Sequence, residues 1–329
     1  MSSRDAILVT GGAGYVGSHF VRAAAEAGSH VVVLDDLSGA PDWSSLPPGI
    51  EHVRGDVGDR RLVADLIGRA KITSVVHFAG KIRVGESVDH PELYYEHNVV
   101  RSLALLDVVR SHGPRAIVFS SSAAVYGEPQ AVPISEHARY APVNPYGATK
   151  LAIEHAIASY GRAHGLAWAA LRYFNAAGAH PDGTLGERHD PETHLVPLVI
   201  DAALGLRPPI SVFGSDYATR DGTCERDYVH VCDLADAHLA ALAALDRGGE
   251  VGAINLGSGR GHTVREVIAT CARVLGRDVP HAAAPRRAGD PAVLVADGAR
   301  ARQVLGWRPA RGDLATIVED AARSRGASR

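Results

Sequence analysis

Short apolar runs alternate with longer stretches of helical periodicity through the first half of the chain. The runs predict buried strands at residues 6–9, 31–34, 52–54, 74–78, 116–119 and 168–172. The helical pattern covers about residues 15–27, 60–69, 91–111 and 146–164. Short apolar strands separated by amphipathic helices are typical of a parallel sheet covered on both faces. The pattern therefore predicts an α/β fold with a doubly wound parallel sheet, the Rossmann arrangement.

This rhythm is interrupted after about residue 174. Segments rich in Pro and Gly follow at residues 180–188 and 214–226, a helical pattern returns at 226–249, and residues 253–256 read as one more strand of the sheet. We therefore expect two interleaved lobes. The larger comprises residues 1–173 plus 227–256, and the smaller comprises residues 174–226 plus 257–329.

Composition narrows the class of protein. The chain has 329 residues, 46% of them hydrophobic, and a formal net charge of -3, which gives no electrostatic footprint for nucleic acid. Cys224, Cys232 and Cys271 have no metal-binding or redox spacing, as expected in a reducing compartment. No apolar run is long enough to span a membrane. We expect a cytoplasmic enzyme that holds no metal.

A glycine-rich loop follows the first strand and opens the first helix. Gly11, Gly14 and Gly17 are spaced GxxGxxG, a variant of the dinucleotide-binding fingerprint. In that motif the first glycine allows a tight turn, the second lets a pyrophosphate approach the backbone, and the third lets helix and strand pack closely. The phosphates would lie at the positive end of the helix.

Acidic residues end the next two strands. Asp35 stands where a carboxylate binds the adenosine ribose, and Asp36 follows it. Two carboxylates repel a 2′-phosphate, and no Arg is adjacent in the sequence, so NAD is favoured over NADP. Asp56 and Val57 are placed to meet the adenine, although Asp56 could equally be a helix cap.

Residues after the fourth and fifth strands are also candidates. Phe78-Ala79-Gly80 lets a cofactor pass close to the backbone, and Asn98 lies on a helix expected beneath it. Ligands bind beyond the carboxyl ends of strands in such sheets. Ser122 could therefore donate to a substrate hydroxyl, although serines in such a loop are commonly turn and capping residues.

The segment Asn-Pro-Tyr-Gly-Ala-Thr-Lys places Tyr146 four residues before Lys150. On a helix these side chains share one face. A nearby ammonium favours the phenolate and lowers the tyrosine pKa. Together with Ser122, the pair predicts a proton-transfer site.

The Ser-Tyr-Lys set resembles the extended branch of the short-chain dehydrogenase/reductase superfamily, and within it the family of the UDP-glucose 4-epimerases. The similar runs extend over nearly the whole chain and are residues 10–17, 76–88, 119–127, 144–150, 171–181, 213–223, 226–231 and 284–290. The resemblance implies that Ser122, Tyr146 and Lys150 are catalytic. The residues it places at NAD, together with those already named, are Gly11, Gly14, Tyr15, Val16, Gly17, Asp35, Asp36, Asp56, Val57, Phe78, Ala79, Gly80, Asn98, Ser120, Tyr146, Lys150 and Tyr173.

The resemblance also implies a UDP-sugar site in the smaller lobe. Its expected residues are Ser122, Tyr146, Asn175, His194, Leu195, Phe213, Arg226, Arg287, Asp290 and Leu294. Arg226 and Arg287 would bind the diphosphate, Asp290 the uridine ribose, and Phe213 the uracil. Leu294 occupies the position that limits the size of the sugar's 2-substituent. Ile82 replaces a Lys common in bacterial members, with Lys81 and Arg83 beside it, and His194 replaces an Asn.

The activity implied is interconversion of UDP-galactose and UDP-glucose through transient oxidation at C4 to a 4-keto sugar, with N-acetylhexosamines as possible further substrates. A nucleotide-sugar 4,6-dehydratase is the alternative, but it needs an acid–base carboxylate pair where this chain has Ala123-Ala124. Epimerisation of another UDP sugar stays open. Members of this family usually form homodimers through the tyrosine-bearing helix and its neighbour.

Overall fold

The computed structural model describes residues 6–287 and 290–327. Its main sheet has seven parallel strands in the order β10-β6-β5-β4-β1-β2-β3, which confirms the predicted doubly wound arrangement. The strands are β1 (Ala6–Thr10), β2 (His30–Asp35), β3 (Glu51–Arg54), β4 (Ser74–His77), β5 (Ala116–Ser122), β6 (Ala167–Tyr173) and β10 (Gly252–Leu256).

Helices cover both faces of this sheet. They are α1 (Tyr15–Glu26), α2 (Arg60–Ala70), α3 (Val84–Asp89), α4 (Pro91–Tyr94), α5 (Arg101–His112), α6 (Pro145–His164) and α8 (Val231–Asp246). On one face α1 and α8 bury Phe20, Leu234 and Leu242 against the sheet, and on the other α2, α5 and α6 bury Leu66, Leu105 and Ile157. Burial of both sheet faces explains why the strands are continuous apolar runs.

Helix α5 does not continue unbroken from the predicted helix start at residue 91. A π-helical turn, Tyr95–Val100, separates α4 from α5. Asn98 lies in this turn and is almost fully buried. Such turns occur where a side chain is drawn out of the regular helix to make a tertiary contact.

Within the part of the chain that the structure describes, the second lobe contains two small sheets and three α-helices. Strands β7 (Asn175–Ala177), β11 (Gly261–Thr263) and β13 (Val293–Leu294) pair with β9 (Glu225–His230), while β8 (Ile210–Phe213) pairs with β12 (His281–Ala284). Helices α7 (Leu195–Ala203), α9 (Val264–Leu275) and α10 (Leu314–Ser324) enclose a separate core.

One sequence-based assignment in this region is wrong. The helix predicted from residue 226 begins only at Val231, because residues 225–230 form β9 of the smaller lobe. The lobe boundaries stay a prediction. Ala301, Leu305 and Trp307, which the predicted boundaries assign to the smaller lobe, pack into the core beneath α1 and α8.

Glycine at position 17 is required by packing. A Cβ atom there would lie 2.2 Å from the carbonyl oxygen of Gly11, so Gly17→Ala must push α1 away from the loop after β1. We expect a loss of about 1–3 kcal/mol of stability, measured by thermal denaturation. Gly68→Ala in α2 is the control: nothing lies within 4 Å of the added methyl group, so the helix should gain stability. Equal melting temperatures for Gly17→Ala and the unmodified protein would contradict this account.

Candidate active site

One cleft of about 760 Å³ runs along the carboxyl ends of the parallel strands and into the smaller lobe. It brings together most of the residues predicted from the sequence. These are Gly11, Gly14, Tyr15, Val16, Gly17, Asp35, Asp36, Val57, Phe78, Ala79, Gly80, Ser120, Ser122, Tyr146, Lys150, Tyr173, Asn175, His194, Arg226, Asp290 and Leu294. Five predicted residues lie outside the lining, namely Asp56, Asn98, Leu195, Phe213 and Arg287.

The glycine loop fits a dinucleotide pyrophosphate. Gly11 has a φ of 73°, and a Cβ on it would lie 2.5 Å from the backbone nitrogen of Ala79. Gly14 differs, because its Cβ would meet only the Gly11 carbonyl oxygen, at 3.4 Å. Packing within the protein therefore demands glycine at position 11, whereas Gly14 leaves space on the cleft side. Helix α1 begins here without a side-chain cap, so its first amides are available to an anion.

Tyr15 lines the cleft, where its contact with the cofactor stays a prediction, and it also reaches the smaller lobe. Its hydroxyl donates to the carbonyl oxygen of Gly178 in the smaller lobe, at 2.7 Å. The ring also meets His189 edge to face, with 6.3 Å between centroids. The side chain thus joins the cofactor loop to the smaller lobe.

Asp35 is buried at the end of β2 and accepts the backbone N–H groups of Ala13 (3.0 Å) and Leu37 (2.8 Å). Burial raises its pKa, against the lowering effect of these two hydrogen bonds. Each carboxylate oxygen keeps a further lone pair, so the group can also accept from a ribose hydroxyl. This geometry fits the predicted ribose contact.

No Arg is adjacent to this acidic pair in the sequence, but one lies beside it in space. Arg101, from α5, lies 3.7 Å from Asp36 and 2.9 Å from Asp56. The sequence could not show this contact because α5 is remote in sequence from β2. The guanidinium faces two carboxylates, so the local charge still disfavours a 2′-phosphate. Asp56 also accepts the Gly58 N–H at 2.7 Å, while the cap of α2 is Asp59.

Asn98 organises the loop after β4 from below. Its side-chain oxygen accepts the Lys81 N–H (2.7 Å), and its amide donates to the Lys81 carbonyl (3.1 Å) and to the Thr149 hydroxyl (3.2 Å). The side chain therefore fastens the cofactor loop to α6. Asn98 is outside the cleft lining, and its contact with the cofactor stays a prediction.

Ser122, Tyr146 and Lys150 converge at the end of β5. Ser122 and Tyr146 both line the cleft, and the Ser122 hydroxyl interacts with the Tyr146 phenol so as to lower its pKa. The Lys150 ammonium donates to the Ser120 carbonyl at 2.9 Å and lies 5.8 Å from the centroid of the Tyr146 ring. Asn144 caps α6 by accepting the Gly147 N–H at 2.9 Å, which fixes the first turn carrying Tyr146.

The proton affinities of this set are governed first by burial. Burial raises the Tyr146 pKa, and the interaction with Ser122 opposes that rise. Burial lowers the Lys150 pKa to about 8, against the attraction of Glu154. Lys150 is expected from the sequence to lower the Tyr146 pKa. In the protein alone the Tyr146 pKa is not lowered in this way, because the Lys150 ammonium is directed at a carbonyl oxygen.

Two predicted substrate residues bind each other. Arg226 and Asp290 form an ion pair at the cleft wall, and Arg226 also donates to the Glu225 carbonyl at 2.8 Å. Arg287 is exposed and stacks on the Phe213 ring with 4.0 Å from guanidinium to centroid, beside the lining. Ala288 and Gly289, part of the same family-like run, lie outside the described residues.

Sequence reasoning missed a cluster that surrounds His194. Glu187 accepts from the Nδ1 atoms of both His189 (2.9 Å) and His194 (2.6 Å), and Glu192 lies 3.3 Å from His194 Nδ1. The donor atoms lie within 4.8 Å of one another, a spacing that a metal ion could bridge. However, Glu192 already accepts two backbone N–H groups and pairs with Arg325. The sequence signal that could have revealed this cluster is the spacing Glu-x-His-x-x-Glu-x-His.

This cluster has unusual proton affinities. Burial disfavours the charged forms, but the hydrogen bonds from His189 and His194 lower the Glu187 pKa to about 2. The same carboxylate and Glu192 raise the His194 pKa to about 10 despite burial. His194 is therefore an imidazolium at neutral pH, and it adds positive charge to the cleft.

Comparison with known proteins agrees with the geometry. Residues 7–257 match the NAD dependent epimerase/dehydratase family. The chain is 51% identical over 315 residues to the UDP-glucose 4-epimerase of Streptomyces lividans, covering 95% of this chain and 94% of that protein. It superposes on the Brucella ovis UDP-glucose 4-epimerase in complex with NAD with a TM-score of 0.95 and 45% identity, covering 98% and 99% of the two chains. The UDP-Glc/GlcNAc 4-epimerase of Campylobacter jejuni gives a TM-score of 0.85 at 39% identity, with coverage of 98% and 99%.

Among residues 6–287 and 290–327, no helix has the length and apolar character needed to cross a bilayer.

Replacing the shared acceptor tests the electrostatic account of the His194 cluster. The Glu187 contribution to stability is present above its ordinary pKa of 4.5 and is lost as pH falls toward 2. The His194 contribution is complete below its ordinary pKa of 6.5 and is lost as pH rises toward 10. We therefore expect Glu187→Gln to lower the melting temperature most between these ordinary values, by about 2–6 °C.

The matched control is Glu92→Gln, which removes an exposed carboxylate 3.5 Å from His90. It should leave the melting temperature nearly unchanged at every pH. A Glu187→Gln deficit that does not vary between pH 5 and pH 10 would show that the His194 charge makes no contribution.

Proposed function

We propose that this chain, which belongs to the NAD dependent epimerase/dehydratase family, interconverts UDP-glucose and UDP-galactose by transient oxidation at C4 of the sugar. The observation that carries the proposal is the single cleft that joins the glycine loop, the Ser122–Tyr146–Lys150 set and the Arg226–Asp290 wall. A dinucleotide and a nucleotide sugar could therefore meet at Tyr146. The strong overall similarity to UDP-glucose 4-epimerases supports the same assignment.

NAD is the cofactor that the glycine loop and Asp35 would hold. When bound, NAD accepts a hydride from C4 and returns it, which is chemistry that side chains cannot supply. Gly14 and the start of α1 would receive the pyrophosphate, and Asp35 the adenosine ribose. Lys150, beneath the loop that contains Gly80, would bind the nicotinamide ribose.

Tyr146 is the proposed acid and base. Ser122 holds the phenol and would also meet the sugar 4-hydroxyl, so the proton can pass to Tyr146 as the ketone forms. The same proton returns when C4 is reduced from the opposite face. Burial raises the Tyr146 pKa in the protein alone, so positive charge supplied within the complex is needed to favour the phenolate.

The smaller lobe must hold UDP while the 4-keto sugar turns over. Arg226 is paired with Asp290 in this structure, so the diphosphate would compete with that carboxylate for the guanidinium. Asp290 would then be available to the uridine ribose, with Arg287 and Phe213 closing over the base and phosphates. His194 would add a third cation, and Leu195 follows it at the start of α7.

The cation expected near Ile82 is best supplied by Lys81. Both residues line the cleft, but Arg83 donates to the Asp190 carbonyl oxygen at 2.8 Å, while the backbone of Lys81 is fixed by Asn98. The dehydratase alternative lacks its acid beside the serine. Ala123 and Ala124 begin a 3₁₀ turn directly after Ser122.

A cytoplasmic homodimer completes the proposal. Tyr95, Val100 and Leu103 expose apolar surface on the π-helical turn and α5, next to α6. Such a patch suits association through these two elements. Ile153 and Ile157 of α6 are not available, because they pack against the sheet.

The direct test is to supply the purified protein with NAD and UDP-galactose and to resolve the products by chromatography. We expect UDP-glucose to accumulate toward equilibrium without net NADH production. Tyr146→Phe should retain NAD and lose about 100- to 10,000-fold in turnover, because it removes the acid–base group. No interconversion by the unmodified protein would contradict the proposed function, and full turnover by Tyr146→Phe would remove the phenol from the mechanism.

Substrate size gives a second test. Leu294 lines the cleft and packs against the small apolar cluster that contains Tyr126. We propose that Leu294 admits an N-acetyl group, as the similarity to the Campylobacter jejuni UDP-Glc/GlcNAc 4-epimerase also suggests. Leu294→Tyr should selectively lower kcat/KM for UDP-N-acetylgalactosamine, by roughly 10-fold or more. Leu294→Met, which conserves volume, should change neither substrate much. Equal losses for both substrates in Leu294→Tyr would contradict a size gate.

A further inference from the structure

Each of the three serines that end β5 is attached to α6. The Ser122 hydroxyl interacts with the Tyr146 phenol, the Ser120 carbonyl accepts from Lys150 Nζ at 2.9 Å, and the Ser121 hydroxyl donates to Glu154. Tyr146, Lys150 and Glu154 are four residues apart and occupy successive turns of one helix face. Two of these attachments belong to the proposed catalytic set, and the third, through Glu154, has no assigned role.

Glu154 is a buried carboxylate held at both oxygens. Arg172 on β6 donates from Nε to Oε1 at 2.9 Å and from Nη2 to Oε2 at 2.5 Å. Glu154 is 4% exposed and Arg172 is 1% exposed. Burying a charged pair this deeply costs free energy unless its hydrogen bonds are complete. The presence of the pair is therefore only weak evidence that it serves to stabilise the fold.

The strand register explains how these groups meet. Ser121 lies opposite Arg172 on β6, and Arg172 lies opposite Asn255 on β10. All three side chains therefore project from one row of the sheet toward the α6 side. Glu154 closes that row from above, which fixes the axial position of α6 relative to β5.

The same network reaches the substrate side of the cleft. Arg172 Nη1 donates to the Tyr126 hydroxyl at 2.7 Å, which in turn donates to Asn255 Oδ1 at 2.6 Å. Tyr126 is fully buried in the small cluster that also contains Leu294. One set of contacts thus links α6, the helix that carries Tyr146, to Leu294, the residue proposed to face the sugar.

Glu154 also supplies the negative charge that acts on Lys150. The titratable groups that the structure brings to Lys150 are Tyr146, whose ring centroid lies 5.8 Å from Nζ, and Glu154 on its own helix, with His77 on β4. On β6, Arg172 binds Glu154 and the Tyr173 hydroxyl bonds His238. Burial lowers the His77 pKa to about 3, so His77 is neutral, and burial raises the Tyr173 pKa. Glu154 raises the Lys150 pKa against the effect of burial.

We propose that Glu154 is a positioning residue for the reaction: bound to Ser121 and Arg172, it sets the register of α6 on β5 and keeps the buried Lys150 in its ammonium form. The kinetic part of this inference rests on the proposed function. Removing the Glu154 charge should lower the pH at which Lys150 loses its proton. The alkaline limb of the kcat profile should therefore move to lower pH by about one unit.

The test must separate this role from simple stabilisation. Glu154→Gln alone strands the Arg172 charge and is expected to unfold readily. The decisive variant is the double change Glu154→Gln with Arg172→Met, which removes both charges and keeps an amide beside Ser121. Two quantities are measured on the NAD-loaded protein: kcat against pH for UDP-galactose, and the Lys150 side-chain ¹⁵N resonance against pH, assigned by its loss in Lys150→Ala.

Asp320→Asn is the matched control. Asp320 is also a buried carboxylate, 5% exposed, and it binds Arg323 at 2.6 Å and His230 at 3.2 Å in the smaller lobe. It should lower the melting temperature and leave the Lys150 titration and the pH profile unchanged. The double variant should shift both, with KM nearly constant.

The outcomes are separable. If the unmodified protein does not turn over UDP-galactose, the proposed function fails, and the Lys150 resonance alone decides the inference. An unchanged ¹⁵N midpoint in a folded double variant would overturn the role of the Glu154 charge, and so would an unchanged alkaline limb when the unmodified protein is active.

Discussion

The attachment of α6 to the carboxyl end of β5 is the constraint on which the site depends. The proposed acid–base groups lie on two different elements, so their geometry is only as fixed as the contact between those elements. Three consecutive strand residues make that contact with side chains from three successive turns of the helix; Ser121 and Ser122 use their hydroxyls, and Ser120 uses its backbone carbonyl oxygen. A displacement of α6 by one residue would separate Ser122 from Tyr146 and would leave Glu154 buried without Arg172. The cost of that unpaired charge makes the register difficult to lose.

The charged side chains that line the cleft are likewise held in pairs. Asp35 and Asp36 give the adenosine end a negative character, which Arg101 only partly offsets. Toward the smaller lobe each of these cations is paired, since Arg226 binds Asp290 and the imidazolium of His194 binds Glu187. A dinucleotide with a free 2′-hydroxyl suits the first region. In the second region a diphosphate would compete with these carboxylates for Arg226 and His194.

Much of this could be read from the sequence because the signals were local. Strand positions could be predicted from apolar runs. The glycine loop and Asp35 could be predicted because both belong to the first strand–helix–strand unit of the chain. Contacts between distant segments could not be read in this way. Arg101 reaches Asp36 only through the packing of α5, and Asn98 meets Lys81 only because a π-helical turn redirects it. The extent of β9 was missed because Tyr228 and Val229 fit a helix pattern as well as a strand. The cluster at Glu187 has a regular spacing in the sequence. Its role could not be inferred from that spacing, because it depends on how the second lobe packs against Tyr15.

The position of β10 has a consequence for how the protein is made. This edge strand carries Asn255, which completes the hydrogen bonds of Tyr126, yet it follows β6 only after β7, β8, β9 and α8. During synthesis the six preceding strands of the sheet emerge first, and the row that contains Arg172 stays open at one edge until residue 256 has left the ribosome. Long-range strand pairing of this kind is slow and exposes an unpaired edge while it waits. A nascent chain of this protein therefore exposes the edge of β6 until β10 has been made and can pair with it.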